Sequence, residues 1–405
     1  MNLSQDHKKE PVQLLNHGSI AVISIDNPPV NALSHGVRQG LVSCLKTAET
    51  DHNVDAIVVS CSGRTFIAGA DISEFGQPAL EPYLPDVLAQ LDECSKPIIA
   101  ALFGTVLGGG FEVALSCHYR VALTTTKLGL PEVTLGLIPG AGGTQLLPRL
   151  AGVEIALQMI TSGKAETAKK LFDHGVIDLL VEQGTINSDE TLLQQAIVFA
   201  QNIAKKGEEI QRVSEISIRK SEHHSELFDQ WRKKLAKKAR GQNAPQCCIN
   251  SIENAVLLPF NEGKKREREF FIKCRDSSQS VAMRHAFFAE RRAAKLPETY
   301  DKTQNVTLLP IKQVAIVGAG TMGGGIAMCF ANVGLSVILL EMSEDNLARG
   351  LLAIRQRFEQ ALNRGLIDHV QLEQRMSLIL GTCNYEDLSD VDLVVEAAFE
   401  TMAVK

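Results

Sequence analysis

Two glutamates stand in glycine-rich settings that suit acid–base chemistry beside an anion. Glu112 closes the run Gly104-Thr105-Val106-Leu107-Gly108-Gly109-Gly110-Phe111-Glu112, one helical turn after Gly109. Its glycines open a short helix expected over residues 111–116, whose free N–H groups suit an oxyanion or phosphate. Glu132 follows Gly129-Leu130-Pro131 and precedes a second glycine-rich turn, Gly136-Leu137-Ile138-Pro139-Gly140-Ala141-Gly142-Gly143-Thr144. A third segment, Phe66-Ile67-Ala68-Gly69-Ala70-Asp71-Ile72, has small residues that let backbone approach a ligand, and Asp71 can cap a following helix. Alone, each piece has a plainer reading: a glycine run packs or turns, and a glutamate at a helix start complements the dipole. Together they offer two N–H donors from separate loops, which can form an oxyanion hole. Two carboxylates beside it can divide general-acid and general-base roles if burial raises at least one pKa.

A second constellation lies further on. Gln313-Val314-Ala315-Ile316-Val317 reads as a strand and runs into Gly318-Ala319-Gly320-Thr321-Met322-Gly323, then into a helix through Ala327 and Ala331. The next strand, 336–340, ends in Glu341, near the spacing of about 20 residues expected of a ribose partner. Strand, G-x-G-x-x-G, helix and acid in this order predict a dinucleotide site. Glu341 would repel a 2′-phosphate, which favours NAD over NADP.

The elements that must position these groups alternate. Residues 19–25, 56–60, 97–102 and 119–123 read as strands, with a helix over 37–50, which favours an α/β core. Residues 190–300 are helical in pattern, with a charged stretch over 205–240. Its cluster Arg232, Lys233, Lys234, Lys237, Lys238 and Arg240 is read as a solvated face, with Glu222, Glu226 and Asp229 nearby. Residues 241–245 read as a turn, 301–310 as a linker, and 376–382 and 391–396 as further strands. His118 is expected to be structural, at a strand start.

The chain has 405 residues, enough for two or three domains at about 150 residues each. A 45% apolar and 22% charged composition excludes a disordered or fibrous chain, and a net charge of -6 gives no basic excess for nucleic acid or membrane. The nine cysteines are scattered except Cys247-Cys248, read as ordinary thiols in a linker; without C-x-x-C, no metal site is expected. The N-terminus lacks the apolar core of a signal peptide, the longest apolar stretch (98–107) is too short to span a bilayer, and Ala403-Val404-Lys405 is not a peroxisomal signal. A cytoplasmic location is expected.

The motifs FxAGAD, GxxLGGGFE, GLPE and GLxPGxGGTQxLPRLxG, in this order, resemble the enoyl-CoA hydratase/isomerase (crotonase) family over residues 15–185. Asn27-Pro28-Pro29-Val30-Asn31-Ala32, Cys117-His118-Tyr119-Arg120 and residues 136–152 are most similar to the multifunctional fatty-acid β-oxidation enzymes of peroxisomal bifunctional or bacterial type. Residues 258–263, 266–271 and 286–291 resemble that family's linker helices, and GAGxMGxGIA its 3-hydroxyacyl-CoA dehydrogenase part. The resemblance implies a crotonase-like ββα spiral domain over 1–190, a helical linker over 191–300 that completes it, and a partial Rossmann-type NAD-binding domain over 306–405. It implies that the N–H groups of Ala70 and Gly109 hold a CoA thioester oxygen. Glu112 would then activate water for C3, and Glu132 would protonate C2 or shuttle a proton between C2 and C4. Gly69 and Gly109 would contact substrate and Gly140 would border the water. Gly318, Gly320, Gly323 and Glu341 would bind NAD, with Glu396 of Val394-Val395-Glu396-Ala397 on the nicotinamide side. The family's dehydrogenase His and its partner Glu would come after Lys405, so the fingerprint implies cofactor binding rather than oxidation by this chain alone. Cis linker helices imply a monomer. Two rivals stay open: another crotonase-family acyl-CoA reaction, or a non-catalytic CoA- or NAD-binding fragment.

Overall fold

The computed structural model describes residues 10–74, 77–78, 80–182, 188–218, 222–293 and 309–401. The extreme termini and most of the linker expected over 301–310 lie outside them. The chain divides into two compact units between residues 296 and 297.

In the first unit, β1 (Val12–His17) and β2 (Ile20–Ile25) form a hairpin. Helix α1 (His35–Thr50) then leads to β3 (Ala56–Cys61), and α2 (Leu84–Glu93) to β4 (Ile98–Leu102). From here the chain spirals. β4 continues into β5 (Thr105–Leu107) and α3 (Gly109–Ser116). β6 (Tyr119–Leu123) continues into β7 (Lys127–Gly129), a 3-10 turn Pro131–Leu135 and α4 (Gly143–Ala151). After α5 (Val153–Ser162) come β8 (Glu166–Thr167), α6 (Ala168–Asp173) and β9 (Leu179–Val181). A six-stranded sheet of order β1-β2-β3-β4-β6-β9 is parallel apart from the hairpin; a small sheet holds β5-β7-β8. Every residue of β3 and β4 is buried, which is why AIVVSC and IIAAL are continuous apolar runs rather than alternating ones.

The β5–β7 pairing places the site. The two strands are parallel neighbours with Leu107 opposite Gly129, so the turns that follow leave the same end of the sheet. One carries Gly109 and Glu112, the other Glu132.

Five helices complete the unit: α7 (Ser188–Lys206), α8 (Glu222–Lys238), α9 (Ala244–Leu257), α10 (Phe260–Arg275) and α11 (Ser278–Ala293). α9 packs on α4, α5 and α10, α10 also on α4, and α11 on the Pro131–Leu135 turn. There the Ser280 hydroxyl donates to Leu135 O at 2.9 Å.

The second unit runs β10 (Gln313–Val317), α12 (Thr321–Asn332), β11 (Ser336–Leu340), α13 (Glu344–Asn363), α14 (His369–Ser377), β12 (Ile379–Thr382) and β13 (Leu393–Glu396). Its sheet is parallel, ordered β12-β11-β10-β13, the 3-2-1-4 arrangement of a Rossmann half. Val314, Ile316, Val337, Leu339, Ile354 and Phe358 fill its core. On β13, Leu393 and Val394 are 37% and 52% exposed, and among the described residues the sheet ends there.

Four expectations are corrected. α3 starts at Gly109, not Phe111, because Gly108 (φ +52°) caps it and accepts the Phe111 and Glu112 N–H groups. Met376 and Ser377 end a helix rather than open a strand, since Asp368 and Gln371 form a capping box that starts α14. The turn near residue 241 stops at Asn243, and Pro245 lies in the first turn of α9, where a missing N–H costs nothing. Cys247 and Cys248 are buried within α9, not in a linker.

Candidate active site

The loop after β3 is held from behind by Asn31, a buried residue at φ +53°. Its amide donates to Ser62 O at 2.8 Å and Thr65 O at 3.0 Å. Ala68 N–H donates to Val30 O at 3.1 Å and Leu33 N–H to Gly69 O at 3.0 Å, which makes a bridge between Leu33 and Ala70. Arg38 of α1 clamps this bridge, donating to Leu33 O at 2.9 Å and to Glu74 at 2.8 Å.

The second glycine-rich segment docks on that loop. Leu107 N–H donates to Ile67 O at 3.1 Å. A Cβ on Gly110 would fall 2.1 Å from Ile67 O, so only glycine permits the approach there, and one on Gly109 would stand tightly at 3.3 Å from Ala70 N. Ala70 and Gly109 each follow a positive-φ glycine, Gly69 at +135° and Gly108 at +52°. Gly109 is the first residue of α3, where the N–H has no acceptor within the helix. The structure thus brings the two expected donors, with Gly69, to one place.

Glu112 is 3% exposed, and its Oε1 accepts N–H from Ala141 at 2.8 Å and from Gly143 at 2.9 Å. Burial raises its carboxyl above the ordinary range, and the Gly143 and Ala141 donors pull it back. Glu132 differs. Although the residue is half-buried, its Oε2 is sealed from solvent and takes no hydrogen bond. Burial pushes it well above the usual range, and the nearby Glu112 charge adds to this. A Cβ on Gly108 would stand 3.0 Å from Glu132 Oε1, so the second carboxyl lies against the cap of α3. Burial raises both carboxyls, but only Glu112 has two donors that offset it, so Glu132 is the more strongly held in its protonated form.

A third buried carboxylate lies in the 266–271 segment, to which the sequence gives no chemical role. Glu267 of α10 is 1% exposed. Its Oε1 accepts Gly142 N–H at 2.6 Å; its Oε2 accepts Thr144 N–H at 2.9 Å and meets the Thr144 hydroxyl. Burial, then the Glu112 charge, raises it to about 8. The available signal was its place on α10: Gly263, Glu267 and Cys274 are the buried residues of this otherwise charged helix. A carboxylate on a core-facing stripe needs partners. Gly140 lies under the Phe271 ring of α10, where a Cβ would come within 2.4 Å. His118 has the structural place expected, taking Ile98 N–H on Nδ1 at 2.9 Å, and burial lowers it to about 4.

In the second unit, the three fingerprint glycines have separate reasons. Gly318 has φ +106°, and a Cβ there would meet Ala397 O at 2.7 Å. A Cβ on Gly323 would fall 1.8 Å from Gly318 O, so this glycine lets α12 pack on the loop. A Cβ on Gly320 meets nothing within 4 Å, leaving open space where the N-terminus of α12 faces outward. Glu341, at the end of β11, accepts Ala319 N–H at 2.9 Å. Glu396 ends β13 and accepts Ala398 N–H at 2.6 Å. An open cradle at a helix N-terminus with an acid at the next strand end fits a dinucleotide.

Spiral and site together define a crotonase fold followed by a Rossmann-type NAD-binding domain. The chain belongs to the enoyl-CoA hydratase/isomerase family, whose sequence profile matches residues 16–251. Residues 313–405 match the NAD binding domain of 3-hydroxyacyl-CoA dehydrogenase. The peroxisomal bifunctional enzyme of Danio rerio is 39% identical over 96% of this chain and 52% of its own length. The peroxisomal fatty acid beta-oxidation multifunctional protein of Oryza sativa is 35% identical over 95% and 53%. The chain thus spans about half the length of these relatives. Among solved structures, carnitinyl-CoA hydratase from Mycobacterium avium matches 70% of this chain and 97% of its own, at 27% identity and a TM-score of 0.50.

Proposed function

We propose that this chain catalyses the reversible hydration of trans-2-enoyl-CoA to 3-hydroxyacyl-CoA in fatty-acid β-oxidation. The observation that carries this reading is the pairing of two unlike glutamates beside the converging backbone of Ala70 and Gly109. Glu112, held as the anion, takes a proton from water, and the oxygen adds to C3. Electrons move to the thioester oxygen, where the Ala70 and Gly109 N–H groups stabilise the enolate. Glu132 delivers its proton to C2. A proton must then return from Glu112 to Glu132 before the next turnover. With a 3-enoyl substrate, Glu132 in its ionised form would take a proton from C2 and return it to C4 through the same enolate, giving isomerisation.

The test is turnover of crotonyl-CoA by the pure chain. Glu112→Gln and Glu132→Gln should each lose about 10²–10⁴ in kcat, the usual worth of a general acid or base. Wild-type turnover in either variant would overturn the assignment. Binding of a CoA ester by calorimetry with no turnover would favour a non-catalytic fragment.

In the second unit, Gly318, Gly320 and Gly323 would seat the pyrophosphate of NAD, Glu341 its ribose, and Glu396 would border the nicotinamide. NAD bound there supplies a hydride acceptor. A monomer is the proposed state, since α9, α10 and α11 cover the site's supporting loops within one chain. The cytoplasmic reading stands beside relatives whose names are peroxisomal, and imaging of the tagged protein decides between them. Among the described residues no helix is long and apolar enough to cross a membrane.

A further inference from the structure

The strap Ala141–Thr144, which ends the second glycine-rich turn and opens α4, divides its four consecutive N–H groups between two buried carboxylates. Ala141 and Gly143 donate to Glu112; Gly142 and Thr144 donate to Glu267. Neighbouring amides point opposite ways, so each glutamate grips one side of one strap. Thr144 strengthens the outer grip: its hydroxyl meets Glu267, lies 2.7 Å from Ser251 Oγ, and accepts from the Gln145 amide at 2.9 Å. Glu267 stands behind the strap, with the strap between it and Glu112.

We propose that Glu267 is a positioning residue for hydration, fixing the strap so that Ala141 and Gly143 hold the Glu112 carboxylate towards the water. This rests on the hydratase reading above. A displaced strap would release Glu112 Oε1 from its two donors, and misplacement by about 1 Å can cost about 10²-fold in rate. The groups that act on Glu267 electrostatically, or on which it acts, are Glu112 of α3, Glu132, Arg268 on its own helix and Cys248 of α9. Its negative charge is one of the influences that raise Glu132.

The experiment compares Glu267→Gln, Glu267→Asp and Thr144→Val with the wild-type 405-residue chain on crotonyl-CoA across pH. Glutamine places an NH2 against at least one strap N–H. We expect kcat to fall roughly 10–100-fold, with KM little changed because the strap does not carry the thioester donors. Above about pH 8, where Glu267 is ionised, losing its charge lets Glu132 give up its proton sooner, so the alkaline limb of kcat should move to lower pH. Aspartate keeps the charge and loses the reach, so it should lower kcat while the limb stays in place. Valine removes only the hydroxyl grip and should give a smaller fall in kcat. Hydrogen exchange of peptides covering residues 139–146 reads the strap without turnover and should quicken in each variant that folds. Wild-type kcat in Thr144→Val or Glu267→Asp overturns the proposal. So does parallel loss of kcat and KM with an unmoved alkaline limb in Glu267→Gln, or unchanged exchange in the strap. A wild-type chain that does not hydrate crotonyl-CoA would instead sink the underlying function, while the exchange result would still judge the strap.

Discussion

At Glu132, a sealed oxygen without a donor sets activity against stability. A carboxyl whose folded pKa is raised binds a proton in the native state that the unfolded chain has already released. Native stability therefore falls as pH rises from the unfolded value of about 4.3 towards the raised folded value. Glutamine has no such dependence. Glu132→Gln should thus gain in thermal midpoint relative to wild type as pH rises above about 5, while hydration is lost. A midpoint difference flat with pH would show that the carboxyl is not buried as described. Glu112 and Glu132 were legible in the sequence because each sits within a few residues of its own glycine turn. Glu267 was not, because its partners Gly142 and Thr144 are 125 and 123 residues away. Only the fold shows what a lone acid on a core-facing stripe is for.

At the scale of elements, the site exists because two short parallel strands, β5 and β7, deliver their following turns to one edge. The other requirement is close docking of α3 on the 66–70 loop. Gly110 sets that distance, since a Cβ there would lie 2.1 Å from Ile67 O, a backbone atom that cannot swing away. Gly110→Ala should lower stability by about 1–3 kcal/mol by overpacking and should weaken CoA-ester binding by parting Ala70 from Gly109. An unchanged melt with wild-type KM would contradict this. The core strands β2, β3, β4 and β6 were easy to read, since strands buried on both faces leave unbroken apolar runs, whereas the three-residue β5 and β7 that carry the site were not. The helix starts were harder. Gly108 caps α3 through a left-handed backbone that its letter only permits, and α14 begins at a reciprocal cap that outweighs the apolar residues after it.

For the whole molecule, every group assigned to hydration belongs to the unit before residue 296, and the dinucleotide cradle to the unit after it. Substitutions in the second unit should therefore separate the two properties. Gly320→Leu adds a side chain into open space, so the fold should persist while NADH binding is blocked. Gly323→Val collides with Gly318 O and should disrupt the second unit itself. Both chains should hydrate crotonyl-CoA as wild type does. Retained NADH fluorescence change in Gly320→Leu would show that the cofactor does not sit at this loop. The division into two units was legible from the reappearance of a strand–glycine–helix pattern after a helical stretch. The reach of α10 back into the first site was not, because it spans more than a hundred residues of intervening chain.

The shared strap has one more consequence, and it concerns exchanging its two acceptors one at a time. If either glutamate is exchanged alone, two interior N–H groups lose their acceptor, at about 1–3 kcal/mol each. The 16–251 profile stops short of Glu267, so one of the strap's two acceptors lies beyond the segment that matches the family.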